Sequence, residues 1–132
     1  MKSILIHGFV MSIALASVAW SAPADKAPEH PVACQLDAFS SADRARHDQL
    51  MATLLGEVRE VKELPDGYAF RLPSDAKRLA EVGEWISLER KCCPFFNFDL
   101  AWTVDDHSPW LRVTGTKEVK AFLSQTKMVQ RG

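Results

Sequence analysis

Two adjacent cysteines followed at once by a proline, in Glu89-Arg90-Lys91-Cys92-Cys93-Pro94-Phe95-Phe96, constrain this chain more than any other feature. Upstream, Leu79, Val82, Ile86 and Cys93 recur at helical spacing; downstream, Phe98, Leu100, Trp102 and Val104 alternate as in a half-buried strand. Proline has no N–H to continue a helix and pushes the residue before it toward extended geometry, so the helix is predicted to end at Cys92 or Cys93. The thiols therefore lie at a helix-to-strand corner. Helical rotation places Cys93 inward with Leu79, Val82 and Ile86, and Cys92 at the margin with Trp85 and Leu88. On that geometry the two thiols point about 100° apart and make a poor chelate by themselves. Glu89 and Arg90 lie within a helical turn of the sulfurs. They are the candidate thiol-tuning side chains, the guanidinium favouring thiolate and the carboxylate opposing it.

The remaining elements follow from turn and cap signals. Ser40 or Ser41 caps a first helix, with Asp43 placed to complete a capping box; Ala42, Ala45, Leu50, Met51, Leu54 and Leu55 form its apolar side and Gly56 its stop. Val58 to Leu64 and Tyr68 to Leu72 read as a hairpin around Pro65-Asp66-Gly67, the glycine supplying tolerance of positive φ. Ser74 and Asp75 begin the second helix. Asn97 to Val104 and Trp110 to Thr114 read as a second hairpin, and Thr116 caps a last helix bearing Val119, Phe122 and Leu123. The predicted order is α-β-β-α-β-β-α. It implies an α+β fold: a four-stranded antiparallel sheet of two hairpins with the helices on one face.

At 132 residues, 47% hydrophobic and 25% charged, one core is expected. A net charge of −1, with no Lys/Arg-rich stripe, argues against nucleic-acid binding. Residues 1–24 have the layout of a secretory signal peptide: Lys2, a broken apolar run from Ile4 through Trp20, then Ala22-Pro23-Ala24. Residues 25–31 form an extended, proline-punctuated leader, and residues 32–132 the domain. The expectation is an exported, periplasmic protein with no membrane span once the signal is removed.

Export changes how the thiols are read. Cys34, Cys92 and Cys93 all survive cleavage, and an odd number leaves one unpaired after any internal disulfide. One reading is a soft-ion site: three thiolates without a fourth ligand suit a mercuric or arsenite-derived ion better than structural zinc, which takes four N/S ligands. A second is a disulfide between Cys34 and one of the pair, in a non-catalytic interaction domain. A third is thiol–disulfide redox chemistry, disfavoured by the lack of a CxxC motif. The position of the Cys34 sulfur discriminates them: approach to both neighbours favours the ion site, and approach to one favours the staple.

Ala33-Cys34-Gln35-Leu36, Leu64-Pro65-Asp66-Gly67, the Glu89–Phe95 stretch and Leu111-Arg112-Val113-Thr114-Gly115 together resemble a family of small bacterial proteins with an "ACxL" start and an "ERxCCPF" core. Some members are linked with mercury and arsenic resistance systems, so the resemblance implies a soft metal or metalloid ion as partner. Those members are mostly leaderless, and the export signal here departs from them.

Other candidates are weaker. Asp105, Asp106 and His107 are read as a turn before Ser108-Pro109 rather than as ligands. His47 falls on the polar side of the first helix and His30 in the leader, neither with a local partner. Trp85, Phe95, Phe96, Phe98, Trp102 and Trp110 are read as core before ligand pocket. No nucleophile-and-base pair or phosphate loop is recognisable, which gives no positive sign of an enzyme.

Overall fold

A computed structural model describes residues 32–130. The signal peptide expected over residues 1–24, the leader over 25–31 and His30 lie outside the described residues. A 3-10 turn, Leu36–Ala38, precedes α1 (Ser41–Glu57), β1 (Glu60–Leu64), β2 (Gly67–Arg71), α2 (Ala76–Cys92), β3 (Asn97–Ala101), β4 (Trp110–Thr114), α3 (Lys117–Ser124) and α4 (Lys127–Gln130). The four-stranded antiparallel sheet and the α+β class are as expected, but the element order is longer at both ends. In space the strands run β1-β2-β4-β3, so the second strand of each hairpin lies at the centre.

α1, α2 and α3 each begin where a side-chain oxygen satisfies an orphan N–H. Ser40 Oγ accepts from Asp43 N at 3.0 Å, Asp75 Oδ1 from Lys77 N and Arg78 N, and Thr116 Oγ1 from Val119 N. α1 and α2 run antiparallel, bordered by Asp43–Lys91, Arg46–Glu84 and Glu57–Arg78 pairs. Ala42 and Ala45, expected to face the core, are exposed; only the C-terminal half of α1 inserts apolar side chains, led by Leu50 and Leu54.

The strand registers sort the sheet into two faces. Val61, Phe70 and Leu111 lie in one cross-strand row and Tyr68, Val113 and Phe98 in the next, and all six belong to or pack on the core with Val82, Trp85, Val119 and Leu123. Lys62, Ala69, Arg112 and Asp99 make the opposite face. The period-two side-chain alternation separates the core-facing residues from the rest, although Ala69 on the opposite face is itself only 5% exposed.

Several expectations are corrected. Gly67 does not use positive φ; a Cβ there would run into the Val113 carbonyl, so glycine is required by the close approach of β4. Gly56 does not end α1, which continues to Glu57 with Val58 as its C-cap. β3 stops at Ala101 instead of Val104. Leu100, Trp102 and Val104 are 42%, 54% and 92% exposed, because β3 is an edge strand and the chain then turns away. Asp106 organises that turn: it accepts from Ser108 N at 2.9 Å and Trp110 Nε1 at 2.7 Å, with Arg71 3.5 Å away. These bonds hold the Asp106 carboxyl below its ordinary range, Trp110 contributing most. The turn reading of Asp105-Asp106-His107 thus has a physical basis.

Candidate metal centre

The second helix ends at Cys92, and Cys93 caps it with φ −124° and ψ 68°. Its N–H still bonds Glu89 O at 2.6 Å, but Pro94 has none to offer and the chain turns, with Phe96 N reaching Cys93 O. The buried stripe of α2 consists of Val82, Trp85, Leu88, Glu89 and Cys92. The expected rotation is therefore corrected: Cys92 lies on the buried stripe rather than at its margin, while Cys93 is buried by leaving the helix. That departure also brings the two sulfurs to 3.7 Å, so the adjacent pair is a better chelate than ideal helix geometry predicts.

The third sulfur arrives on a separate segment. Gln35 N donates to Cys92 O at 2.8 Å, satisfying a carbonyl that the helix end would leave unpaired. Arg44 Nη2 holds Leu36 O at 3.2 Å, and Val32 and Phe39 pack against the core on either side. This strap places Cys34 over the corner, and the three sulfurs lie within 4.8 Å of one another. A tetrahedral site with metal–sulfur bonds of about 2.3 Å separates its sulfurs by about 3.8 Å, so the cluster already spans the space of one thiolate-bound ion. All three thiols are free.

The environments differ sharply. Cys92 and Cys93 are 1% and 0% exposed, whereas Cys34 is exposed. Cys34 is lowered to about 7, chiefly because Cys93 donates to its thiolate, with Cys92 adding to the effect. Cys92 is raised to about 11 by burial. Cys93 is raised by holding its proton toward Cys34 and by burial. The cluster therefore has one acidic, accessible thiol and two that stay protonated.

Of the two expected tuning side chains, Glu89 is at the site: it is buried, and its carboxylate opposes ionisation of all three thiols. Arg90 is exposed and lines no part of the adjoining cavity. Glu89 Oε2 lies 2.5 Å from His47 Nε2, which gives the buried carboxylate its partner. His47 is thus corrected from a solvated position to a half-buried one with a long-range partner. A carboxylate falling on the buried stripe of α2 was the available signal, since such a group demands a hydrogen-bond partner.

Beside the sulfurs opens an apolar cavity of about 260 Å³. Cys34 and Cys92 form part of its wall, with His47, Glu89, Met51, Leu55, Phe96, Phe122 and Met128 among the other lining residues. The indole N–H of Trp85, another wall residue, has no acceptor among the described residues. The aromatic residues thus divide. Trp85 and Phe96 line the cavity, Phe95 and Phe98 pack around them, Trp102 is exposed, and Trp110 lies on the other face of the sheet beneath Lys62. No helix among the described residues is long and apolar enough to cross a membrane.

No protein-family model matches the chain, and no curated protein or solved structure matches it. Its functional reading rests on the site.

Proposed function

We propose that the protein is an exported thiol receptor for a soft metal or metalloid ion, held by Cys34, Cys92 and Cys93, with trivalent arsenic its preferred cargo. The observation carrying this reading is the convergence of all three sulfurs within 4.8 Å, two from one helix end and one from a strap pinned to it. Thiolates select soft ions. Among the described residues the cluster contains no fourth Cys, His, Asp or Glu, which disfavours closed structural zinc.

Charge separates arsenic from mercury. Arsenous acid reacts with three thiols to give a neutral trithiolate and three waters, using every sulfur present. A mercuric ion on three thiolates carries a net negative charge, which two buried sulfurs beside the Glu89 carboxylate oppose. The resemblance to proteins linked with arsenic and mercury resistance supports a soft metal or metalloid cargo in general, and the Lys2, Ile4–Trp20 and Ala22-Pro23-Ala24 pattern supports export.

Titrating arsenite into reduced wild type and the three single Cys→Ser variants, with zinc as competitor, tests the reading. One ion per chain is expected, with at least about tenfold weaker binding in Cys34→Ser, equivalent to about 1.4 kcal/mol. Equal binding by Cys34→Ser, or displacement of arsenic by stoichiometric zinc, would overturn it.

The acidic, accessible Cys34 beside two protonated thiols also favours a second reading, thiol–disulfide exchange, in which Cys34 attacks a disulfide sulfur and Cys92 or Cys93 resolves the mixed disulfide. Reduction of a model disulfide by stoichiometric reduced protein, with loss of two thiols per chain, is its signature.

A further inference from the structure

The three-sulfur reading leaves the cavity beside the cluster without a role. An arsenic centre bound by sulfurs alone needs no apolar space, yet about 260 Å³ of it opens against Cys34 and Cys92. Cys93, the third member of the cluster, does not line it. An apolar cavity of about 150 Å³ suffices to hold benzene, so this one has room for an aryl ring with its attached atom at the wall.

We propose that the site accepts trivalent organoarsenicals bearing an aromatic substituent, with Cys34 and Cys92 binding the arsenic and the ring seated among Met51, Leu55, Phe96, Phe122 and Met128. This rests on the thiol-receptor reading and assigns it a ligand class. The chemistry balances without oxidant or reductant. An arylarsonous acid, carrying two hydroxyls on arsenic, condenses with two thiols; two As–S bonds replace two As–O bonds, and two waters leave with the thiol protons. The carbon–arsenic bond stays intact and the product is neutral, as a site with buried sulfurs and a neighbouring carboxylate favours. The accessible Cys34 makes the first bond, and the condensation then draws in Cys92, whose buried thiol gives up its proton only as the second water forms.

Ring and sulfur contacts are separable by experiment. Phenylarsonous and methylarsonous acids form the same two As–S bonds, so their affinity ratio reports the substituent alone, with a small free dithiol giving the reference ratio. Reduced wild type is expected to bind the phenyl compound at least about tenfold more tightly than the methyl compound beyond that reference, a difference of about 1.4 kcal/mol. Met51→Trp and Leu55→Trp, both at half-buried wall positions, should bring the ratio back to the reference while arsenite binding persists, which also shows that the variants are folded. Cys93→Ser should weaken arsenite and spare the phenyl compound. A wild-type ratio equal to the reference, or one unmoved by both tryptophan variants, overturns the inference while leaving the arsenite site standing. Loss of arsenite binding with the phenyl preference retained instead overturns the three-sulfur reading and supports the two-sulfur aryl site.

Discussion

The cluster joins two unlike regions. Cys92 and Cys93 sit at a helix end fixed by Pro94, inside the core, with raised pKa values and at most 1% exposure. Cys34 rides on an exposed strap secured to that end by one backbone hydrogen bond, and its thiol is the acidic one. The same three sulfurs lower one group and raise two because each proton shared among them has one preferred home. The difference teaches a division of labour: the strap supplies the reactive sulfur, and the corner supplies a preformed geometry into which it delivers the ion.

Alkylation should show that difference most visibly. In reduced, folded protein, a small alkylating reagent near neutral pH should modify Cys34 at least about a hundredfold faster than either corner thiol, with a half-maximal rate near the lowered value of about 7. Peptide mass spectrometry after timed quenching separates the sites. Equal rates at all three would show that the corner is open to solvent.

Stability should show the opposite ranking. Cys93→Ser places a hydroxyl at a position with no exposure and is expected to cost about 1–3 kcal/mol in urea unfolding of the reduced protein. At or below pH 7, Cys34→Ser, on the exposed strap, should stay within about 0.5 kcal/mol. A large cost at Cys34 would mean that the strap contributes to the core.

The strap's backbone bond to the end of α2 can be cut without touching sulfur. Gln35→Pro removes the N–H that bonds Cys92 O, so arsenite affinity should fall about tenfold while the fold persists, as far-UV circular dichroism would show. Unchanged affinity would place the determinant of Cys34's position elsewhere.

The smallest effect is on pH dependence. Cys34 falls from an ordinary 9.0 to about 7, so its stabilising contribution is fully present above pH 9 and is lost as pH falls through 7. Cys92, raised to about 11, contributes below pH 9 and loses that contribution as pH rises through 11. Between about pH 7 and 9, wild type should therefore gain up to about 1 kcal/mol relative to Cys34→Ser, limited by solvent screening of an exposed group. A relative loss over that range contradicts the assignment.

Legibility followed the range of the interactions. The Pro65-Asp66 turn, the Asp75 and Thr116 caps and the Pro94 corner are set by residues a few positions apart, and all appear in the fold. Three features were not readable locally. The Glu89–His47 contact joins residues 42 apart in sequence. β3 ends at Ala101, and the turn beyond it is held by Asp106 bonding Trp110; α4, with one buried residue, Met128, has too short an apolar pattern to announce itself. Cys34, Cys92 and Cys93 were each readable as candidates because cysteine is rare here. Their convergence was not, since it depends on where the Gln35 N–H finds its acceptor.

Arsenic X-ray absorption on the reduced, stoichiometric arsenite complex tests the central claim most directly. The account predicts three sulfurs and no oxygen around arsenic in wild type, and two sulfurs with one oxygen in Cys34→Ser. The same ligand set in both proteins would contradict it.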